Sequence, residues 1–406
     1  MKNVVVLGSG FAGLWAAVGA ARRLDELRIP ARDVVVTVIS SQPFHDIRVR
    51  NYEPDLTACR IPLSAVLDPV GVAHITAEVT AIDVAARIIT FSGSDGFGSQ
   101  EYDRLVFALG SSVVRPDLPG LREFGFDIDT YDQAIRLNRH LASLADGPRT
   151  PGAATVVVVG AGLTGIEAAC ELPGRLAGLL AGRDGCIPRV LLIDHNPLVG
   201  SDMGDSARPL IEAALADNGV EALTGVGVTA VDADSVTLST GQRLAASTVV
   251  WCAGMRANPL TALFGIELDR LGRVPVDDYL QVVGVPSVFA AGDVAAAKMD
   301  DQHLSVMSCQ HGRPMGRYAG YNVISDLLGE PMLALRIPWY VTVLDLGPAG
   351  AVYTEGWDRQ VVAHGAQAKA TKRVINTERI YPPVDGDRAK ILAAAAPELQ
   401  ARPVRG

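Results

Sequence analysis

Val4-Val5-Val6-Leu7-Gly8-Ser9-Gly10-Phe11-Ala12-Gly13, with the apolar stretch that follows as far as Leu24, decides the fold of this chain. A β-branched run ends at Gly8, helical character begins at Ala12, and a second buried run follows at Val34–Ile39. Strand, tight turn, helix and strand in that order open a dinucleotide-binding fold. Gly8 permits the tight turn, Gly10 lets backbone approach a pyrophosphate, and Gly13 lets the helix close onto the strand. Phe11 and Ala12 then sit where the unpaired N–H groups and positive dipole of the helix end face the phosphates. A plain packing turn is the bland alternative, and the flanking strand and helix argue against it.

The pattern recurs. Val156–Val159 leads into Gly160-Ala161-Gly162-Leu163-Thr164-Gly165, a helical segment runs on to Leu172, and Val190–Ile193 is the next buried run. Two copies imply two nucleotide sites and a domain duplication. The second copy ends its second strand on Asp194, placed to accept hydrogen bonds from an adenosine ribose. A carboxylate there repels a 2′-phosphate, so NADH is expected over NADPH. The first copy has Ser40-Ser41 at that place, and the Ser40 hydroxyl offers a weaker bond to a ribose.

A chain of 406 residues suits two or three domains. Its net charge of −9 repels phosphate backbones, so no nucleic-acid partner is expected. Cys59, Cys170, Cys186, Cys252 and Cys309 show no C-x-x-C pair and no zinc spacing, which reads as reduced thiols and no metal site. The uncharged run Asn3–Ala21 approaches the ~20 residues of a membrane span and superficially fits a signal peptide. Its glycine spacing, repeated in mid-chain, speaks against both, and a protein that stays inside the cell is expected.

Between the copies, His74–Val84, Ala86–Phe91 and Tyr102–Leu109 read as a β-meander with a return strand, and the Gly/Ser-rich Ser92–Ser99 reads as a turn. Pro148 and Pro151 punctuate the entry to the second unit. Val226–Val231, Ser235–Ser239 and Thr248–Cys252 are expected to complete the second unit in parallel fashion. After Pro259 the chain is expected to return to the first domain, because Ser287–Ala291 needs a sheet to join. The expected class is α/β, with two Rossmann-like dinucleotide-binding domains, β-meander insertions and a strand-rich C-terminal region. The boundaries fall at 1–118 and 259–335 for the first domain, 119–258 for the second, and 336–406 for the C-terminal region. Its strands are read at Trp339–Leu346 and Ala351–Tyr353, with a last helix near Arg388–Ala395.

Over nearly its whole length the chain resembles the pyridine-nucleotide disulfide reductase superfamily and, within it, the type II NADH dehydrogenases. The carriers are the two glycine motifs, Tyr102-Asp103-Arg104-Leu105-Val106-Phe107-Ala108-Leu109-Gly110, Val249-Val250-Trp251-Cys252-Ala253-Gly254 and Val288-Phe289-Ala290-Ala291-Gly292-Asp293. The resemblance implies FAD in the first unit, contacted at Ala108, Gly110, Gly292, Asp293 and Val79, and NADH in the second, with Gly254 beside it. Leu109 stands where the family usually has threonine. Asp293 in the family meets the ribitol and pyrophosphate region, and it could cap a helix as well.

Glu167 matches the glutamate that the family places beside the nicotinamide, although a carboxylate in a first helical turn is favoured by the dipole alone. His45 and Arg48 match a His and a basic residue kept near the flavin; the alternative is a loop charge pairing with Asp46 or Glu53. Ser305–Arg313 is expected to open a helix aimed at the flavin. Relatives carry Ala-Gln where this chain has Cys309-Gln310, and that pair lines the quinone pocket. Gln310 is therefore the candidate for an acceptor carbonyl. Cys309 is either a redox thiol or a small buried apolar group. The paired cysteines of the disulfide reductases are missing, and so are the amphipathic membrane anchors of the type II enzymes. Trp339, Tyr340 and Trp357 are expected to roof the pocket or to form a homodimer interface. Membrane association would then be peripheral at most, at the inner face. The implied activity is transfer from NADH through FAD to a quinone-like acceptor. A soluble reductase serving oxygen or a protein carrier and an NADH-binding redox sensor are the alternatives.

Overall fold

The computed structural model describes residues 1–94, 96–147, 150–182 and 187–403. Pro148 and Cys186 lie outside the described residues. The first sheet has seven strands in the order Val288–Ala290, Arg104–Phe107, Lys2–Leu7, Val34–Ser40, Ala73–Asp83, Ile88–Gly93, Gly96–Glu101. The first five pair in parallel. The runs Val4–Leu7 and Leu105–Phe107 are wholly buried, as strands covered on both faces must be. Strand Ala73–Asp83 serves twice: its start pairs in parallel with Thr37–Ser40, and the rest of it pairs antiparallel with Ile88–Gly93.

Two expectations need correction here. The Ser92–Ser99 stretch is mostly strand, because Gly96–Glu101 pairs with Ile88–Gly93. The glycine that suggested a turn has a packing reason: a Cβ on Gly98 would lie 2.5 Å from the Phe91 ring opposite. Likewise, Val228–Val231 and Ser235–Leu238 do not extend a parallel sheet. With Arg243–Ala245 they form a separate antiparallel sheet.

The second parallel sheet has five strands in the order Gly125–Phe126, Thr248–Trp251, Thr155–Val159, Arg189–Asp194, Val220–Thr224. Helix α1 (Phe11–Glu26) follows the first glycine turn and helix α2 (Leu163–Leu179) the second. Helix α3 (Cys309–Leu328) lies along α1 at unusually short range. Gly312, Gly316 and Gly320 share one face of α3. A Cβ on Gly316 would lie 2.3 Å from the Ala12 carbonyl oxygen, and one on Gly320 2.2 Å from that of Ala16. That close approach brings the N-termini of α1 and α3 side by side. The helix begins at Cys309 rather than nearer Ser305, because Ser308 caps it and accepts from the His311 N–H at 3.4 Å.

The C-terminal strands Val341–Asp345, Ala351–Glu355 and Gln360–His364 form an antiparallel sheet. Helix α4 (Gly365–Val374) follows it, and a last helix at Arg388–Ala394 lies against α1 through Arg22, which donates to the Leu392 carbonyl. No helix among the described residues is long and apolar enough to cross a membrane. The apolar N-terminal run is a strand and the buried face of α1.

Candidate active site

At the first glycine turn the three glycines differ in what they exclude. A Cβ on Gly8 (φ +96°) would lie 2.4 Å from the Ala108 carbonyl oxygen, and one on Gly13 2.0 Å from that of Gly8, whereas Gly10 has nothing within 4 Å. The outer two close the packing and the middle one leaves an open cradle. No side chain caps α1 and its first turn carries no acid, so its leading N–H groups are free for an anion. Gly292 and Gly312 complete the wall, and a Cβ on Gly292 would lie 2.7 Å from that of Ala12. Asp293 accepts from the Ser111 hydroxyl at 2.6 Å, and burial lifts its carboxyl above the ordinary range. Gly110 (φ +70°) turns the chain just before Ser111.

Arg48 pairs with neither of the carboxylates suggested by its neighbourhood in sequence. Arg60 holds Asp46 and Arg50 holds Glu53. Arg48 instead binds Asp129, donates to the Ser111 carbonyl at 3.0 Å, and stands 3.9 Å from Asp293. His45 is wholly buried, with Nδ1 2.8 Å from the Ser9 carbonyl. A carbonyl can only accept, so the proton sits on Nδ1 and the orphaned Nε2 is a bare acceptor. The Ser40 hydroxyl donates to the Gln42 carbonyl at 2.7 Å and meets His74 Nε2 at 2.9 Å, leaving little capacity for a ribose. Val79 is buried in the meander opposite Phe91.

The second turn repeats the construction. A Cβ on Gly160 (φ +105°) would lie 2.9 Å from the Ala253 backbone and one on Gly165 1.8 Å from the Gly160 oxygen, while Gly162 has only an Asp202 oxygen, at 3.9 Å. Asp194 accepts from the Ala161 N–H at 2.5 Å and the Asn196 N–H at 2.7 Å, so it also braces the turn. Beside it opens a cleft of about 920 Å³ whose wall includes Gly160, Gly162, Leu163, Thr164, Glu167, Asp194 and Gly254. Arg48, Cys309, Gln310, Trp339 and Tyr340 line the same cleft. Trp357 stacks behind Tyr340 at 4.8 Å. The residues of the first cradle, Asp293, Ser40 and Val79 are not in this wall; the cradle, Ser40 and Asp293 stand at or just past the carboxyl ends of strands of the first sheet, and Val79 lies in the meander.

Glu167 is buried, and its Oε1 accepts from Lys372 Nζ at 2.7 Å and from the Asp345 N–H at 3.1 Å. Asp345 in turn takes Lys369 Nζ at 2.5 Å and the Tyr52 hydroxyl at 3.1 Å. Burial lifts the Glu167 carboxyl and Lys372 draws it partway back, so it holds a proton more readily than an exposed glutamate. This network links α2, the C-terminal sheet and α4, and sequence reading missed it. The partners of Glu167 lie 178 and 205 residues away from it, with no local signal. Ser111, by contrast, directly follows Gly110 and could have been found. Burial pushes the thiols up, Cys59 to about 11 and Cys252 to about 12, and raises Cys309 as well. The four described cysteines are free, and these directions describe protonated thiols at neutral pH.

Burial also holds His45 and His311 down to about 4. These values lie below the ordinary 6.5, so the unfolded chain binds the extra protons. Stability present above pH 6.5 is lost as the pH falls towards 4, by roughly 3 kcal/mol for each histidine. Urea unfolding across that window is expected to show the loss, and His311→Gln to remove about half of it, the His45 part remaining.

The chain is matched over residues 2–316 by the sequence model of the pyridine nucleotide-disulphide oxidoreductases. It is 71% identical over 403 residues to an NADH dehydrogenase-like protein of Mycobacterium tuberculosis, covering 99% of this chain and 100% of that one. It is 29% identical over 358 residues to the demethylphylloquinone reductase NdbB of Synechocystis, covering 86% of each. In fold it is similar to NDH2 from Plasmodium falciparum, solved in complex with NADH, with a TM-score of 0.78, 14% identity and 97% of each chain covered. Two glycine cradles on two parallel sheets, and these likenesses over nearly the whole length, place the chain in the pyridine nucleotide-disulphide oxidoreductase family, among its NADH dehydrogenase-like members.

Proposed function

We propose that the chain is an FAD-dependent NADH oxidoreductase that passes electrons to a quinone-like acceptor. The observation that carries this reading is the pair of like-built cradles, open at Gly10 and Gly162, the second of them on a cleft whose wall also holds Glu167, Arg48, Cys309 and Gln310. FAD fits the first cradle, where an uncapped helix end, the open Gly10 and the orphaned His45 Nε2 await partners. NADH suits the second, where Asp194 and Asp202 disfavour a further phosphate. On this reading residues 1–118 and 259–335 form the FAD domain, 119–258 the NADH domain, and 336–406 the acceptor side.

FAD, when bound, supplies the hydride acceptor. The chain holds the two dinucleotides in register, with their phosphates on the ends of α1 and α2. Asp293, fixed by Ser111, offers its free oxygen to the cofactor's hydroxyls. The α3 N-terminus and Arg48 present positive charge where negative charge develops. Tyr340 and Trp339 keep water from the cleft. Gln310 Nε2, buried without a hydrogen-bond partner among the described residues, is a donor ready for an acceptor carbonyl. Cys309, held as a thiol, packs beside it.

The test is steady-state turnover under saturating NADH with a short-chain quinone, oxygen and a protein electron carrier. Quinone is expected to be fastest, and Gln310→Ala to raise its KM about tenfold, the scale of one lost hydrogen bond in a dry site. Faster turnover with the carrier or oxygen would overturn the acceptor reading. The quinone named for the Synechocystis relative supports it.

A further inference from the structure

Two buried arginines on α3 have no carboxylate in contact with them among the described residues. Arg313 and Arg317 are 7% and 4% exposed, and both line the cleft that Gln310 opens. Their guanidinium carbons lie 5.5 and 4.6 Å from the ring centre of Trp15 on α1. Arg313 donates to Gln400 Oε1 at 3.1 Å and makes no ion pair among the described residues. Arg317 has neither a hydrogen-bond nor an ion-pair partner among the described residues, and the Nε atoms of both are orphaned. Glu398 attracts Arg317 electrostatically without touching it. Burial brings both guanidiniums down to about 10, which leaves them cationic at neutral pH.

Two adjacent buried cations with no anion in contact among the described residues are unfavourable, and such sites persist where a ligand supplies the missing charge. The phosphates of the two dinucleotides have glycine cradles of their own, so they do not answer this need. Positions 310, 313 and 317 share one helical face. By helical rise the cations stand roughly 4.5 and 10.5 Å beyond Gln310 along α3. The same cleft is lined by the apolar Ile375, Ile380 and Leu399, interspersed with Asn376, Arg379 and Gln400. A purely hydrocarbon tail would satisfy the apolar residues and leave both arginines unpaired.

We propose that the electron acceptor carries an anionic group, a carboxylate or phosphate, on a short arm, and that Arg313 and Arg317 clamp it while the reducible carbonyl sits at Gln310. The position of the carbonyl rests on the quinone-like reading above; the anion site rests on the arginines themselves.

The experiment uses the FAD-loaded protein and three quinones that share one ring and arm length but end in carboxylate, phosphate monoester or hydroxyl. Calorimetric binding to the resting protein is expected to favour one charged ending over the hydroxyl by about tenfold or more, as a charged hydrogen bond supplies. The preferred ending identifies the anion. Arg317→Met, which keeps the stem against Trp15, is expected to bring that ratio close to one, and Arg317→Lys to keep part of it. Equal binding of all three by the wild-type protein, or an undiminished ratio in Arg317→Met, overturns the clamp. NADH-driven reduction of the same compounds separates the two readings. Rapid reduction of all three with equal affinities removes the clamp and leaves the acceptor reading standing. Arginine-dependent binding without reduction does the reverse.

Discussion

A Gly10→Leu protein is expected to fold and to be purified without bound flavin. Gly10 has extended backbone at φ −68° and ψ −171°, which any residue adopts, and nothing within 4 Å of a Cβ. The side chain enters the cradle rather than the core. Its effect on the stability of the cofactor-free chain is at most about 1 kcal/mol, the difference between glycine and a poor residue at a helix N-cap. The contrast is Gly13→Ala, whose one added carbon lies 2.0 Å from the Gly8 carbonyl oxygen. Strand and helix must part to admit it, at about 1–3 kcal/mol or more. Flavin per chain, measured by absorbance after denaturation and set beside urea unfolding, distinguishes the two. Full flavin content in Gly10→Leu would contradict the placement of the pyrophosphate.

Removing the cation from the buried Glu167 pair is expected to have the second large effect. Lys372→Met leaves a buried carboxylate with only the Asp345 N–H, a loss of about 3–5 kcal/mol. Glu167→Gln combined with Lys372→Met is expected to recover most of it, since no unpaired charge remains. A double-mutant cycle from urea unfolding measures the coupling. Loss of Lys372 also removes what draws the Glu167 carboxyl down, so any acidic limb of the pH–rate profile that Glu167 controls moves to higher pH in Lys372→Met. A cycle showing additive effects would mean that the two groups stabilise the fold independently.

Those two variants mark where sequence was informative and where it was not. The glycine turns were legible because their requirements are local: positive φ at Gly8 and Gly160, close packing at Gly13 and Gly165, and an open middle position in each. The parallel core was legible from its unbroken β-branched runs. The meander was misjudged at Gly98, where glycine makes room for Phe91 rather than marking a turn. Strands Val228–Val231 and Ser235–Leu238 look alike whether they pair in parallel or antiparallel, and only the short loop between them distinguishes the cases. The partners of Glu167 were illegible because they come from a strand and a helix of the C-terminal region. Arg313 and Arg317 carry no local signal, because the residues that surround them, Trp15 and Gln400, are remote in sequence.

The most direct test of electron entry is an anaerobic titration of the flavin-loaded protein with NADH, followed by addition of a quinone. Bleaching of the flavin absorbance at one NADH per chain, much weaker bleaching by NADPH at the same concentration, and return of the colour on quinone addition are the expected results. A protein that stays colourless after incubation with FAD, or a flavin that NADH leaves oxidised, would contradict the proposed function at its first step.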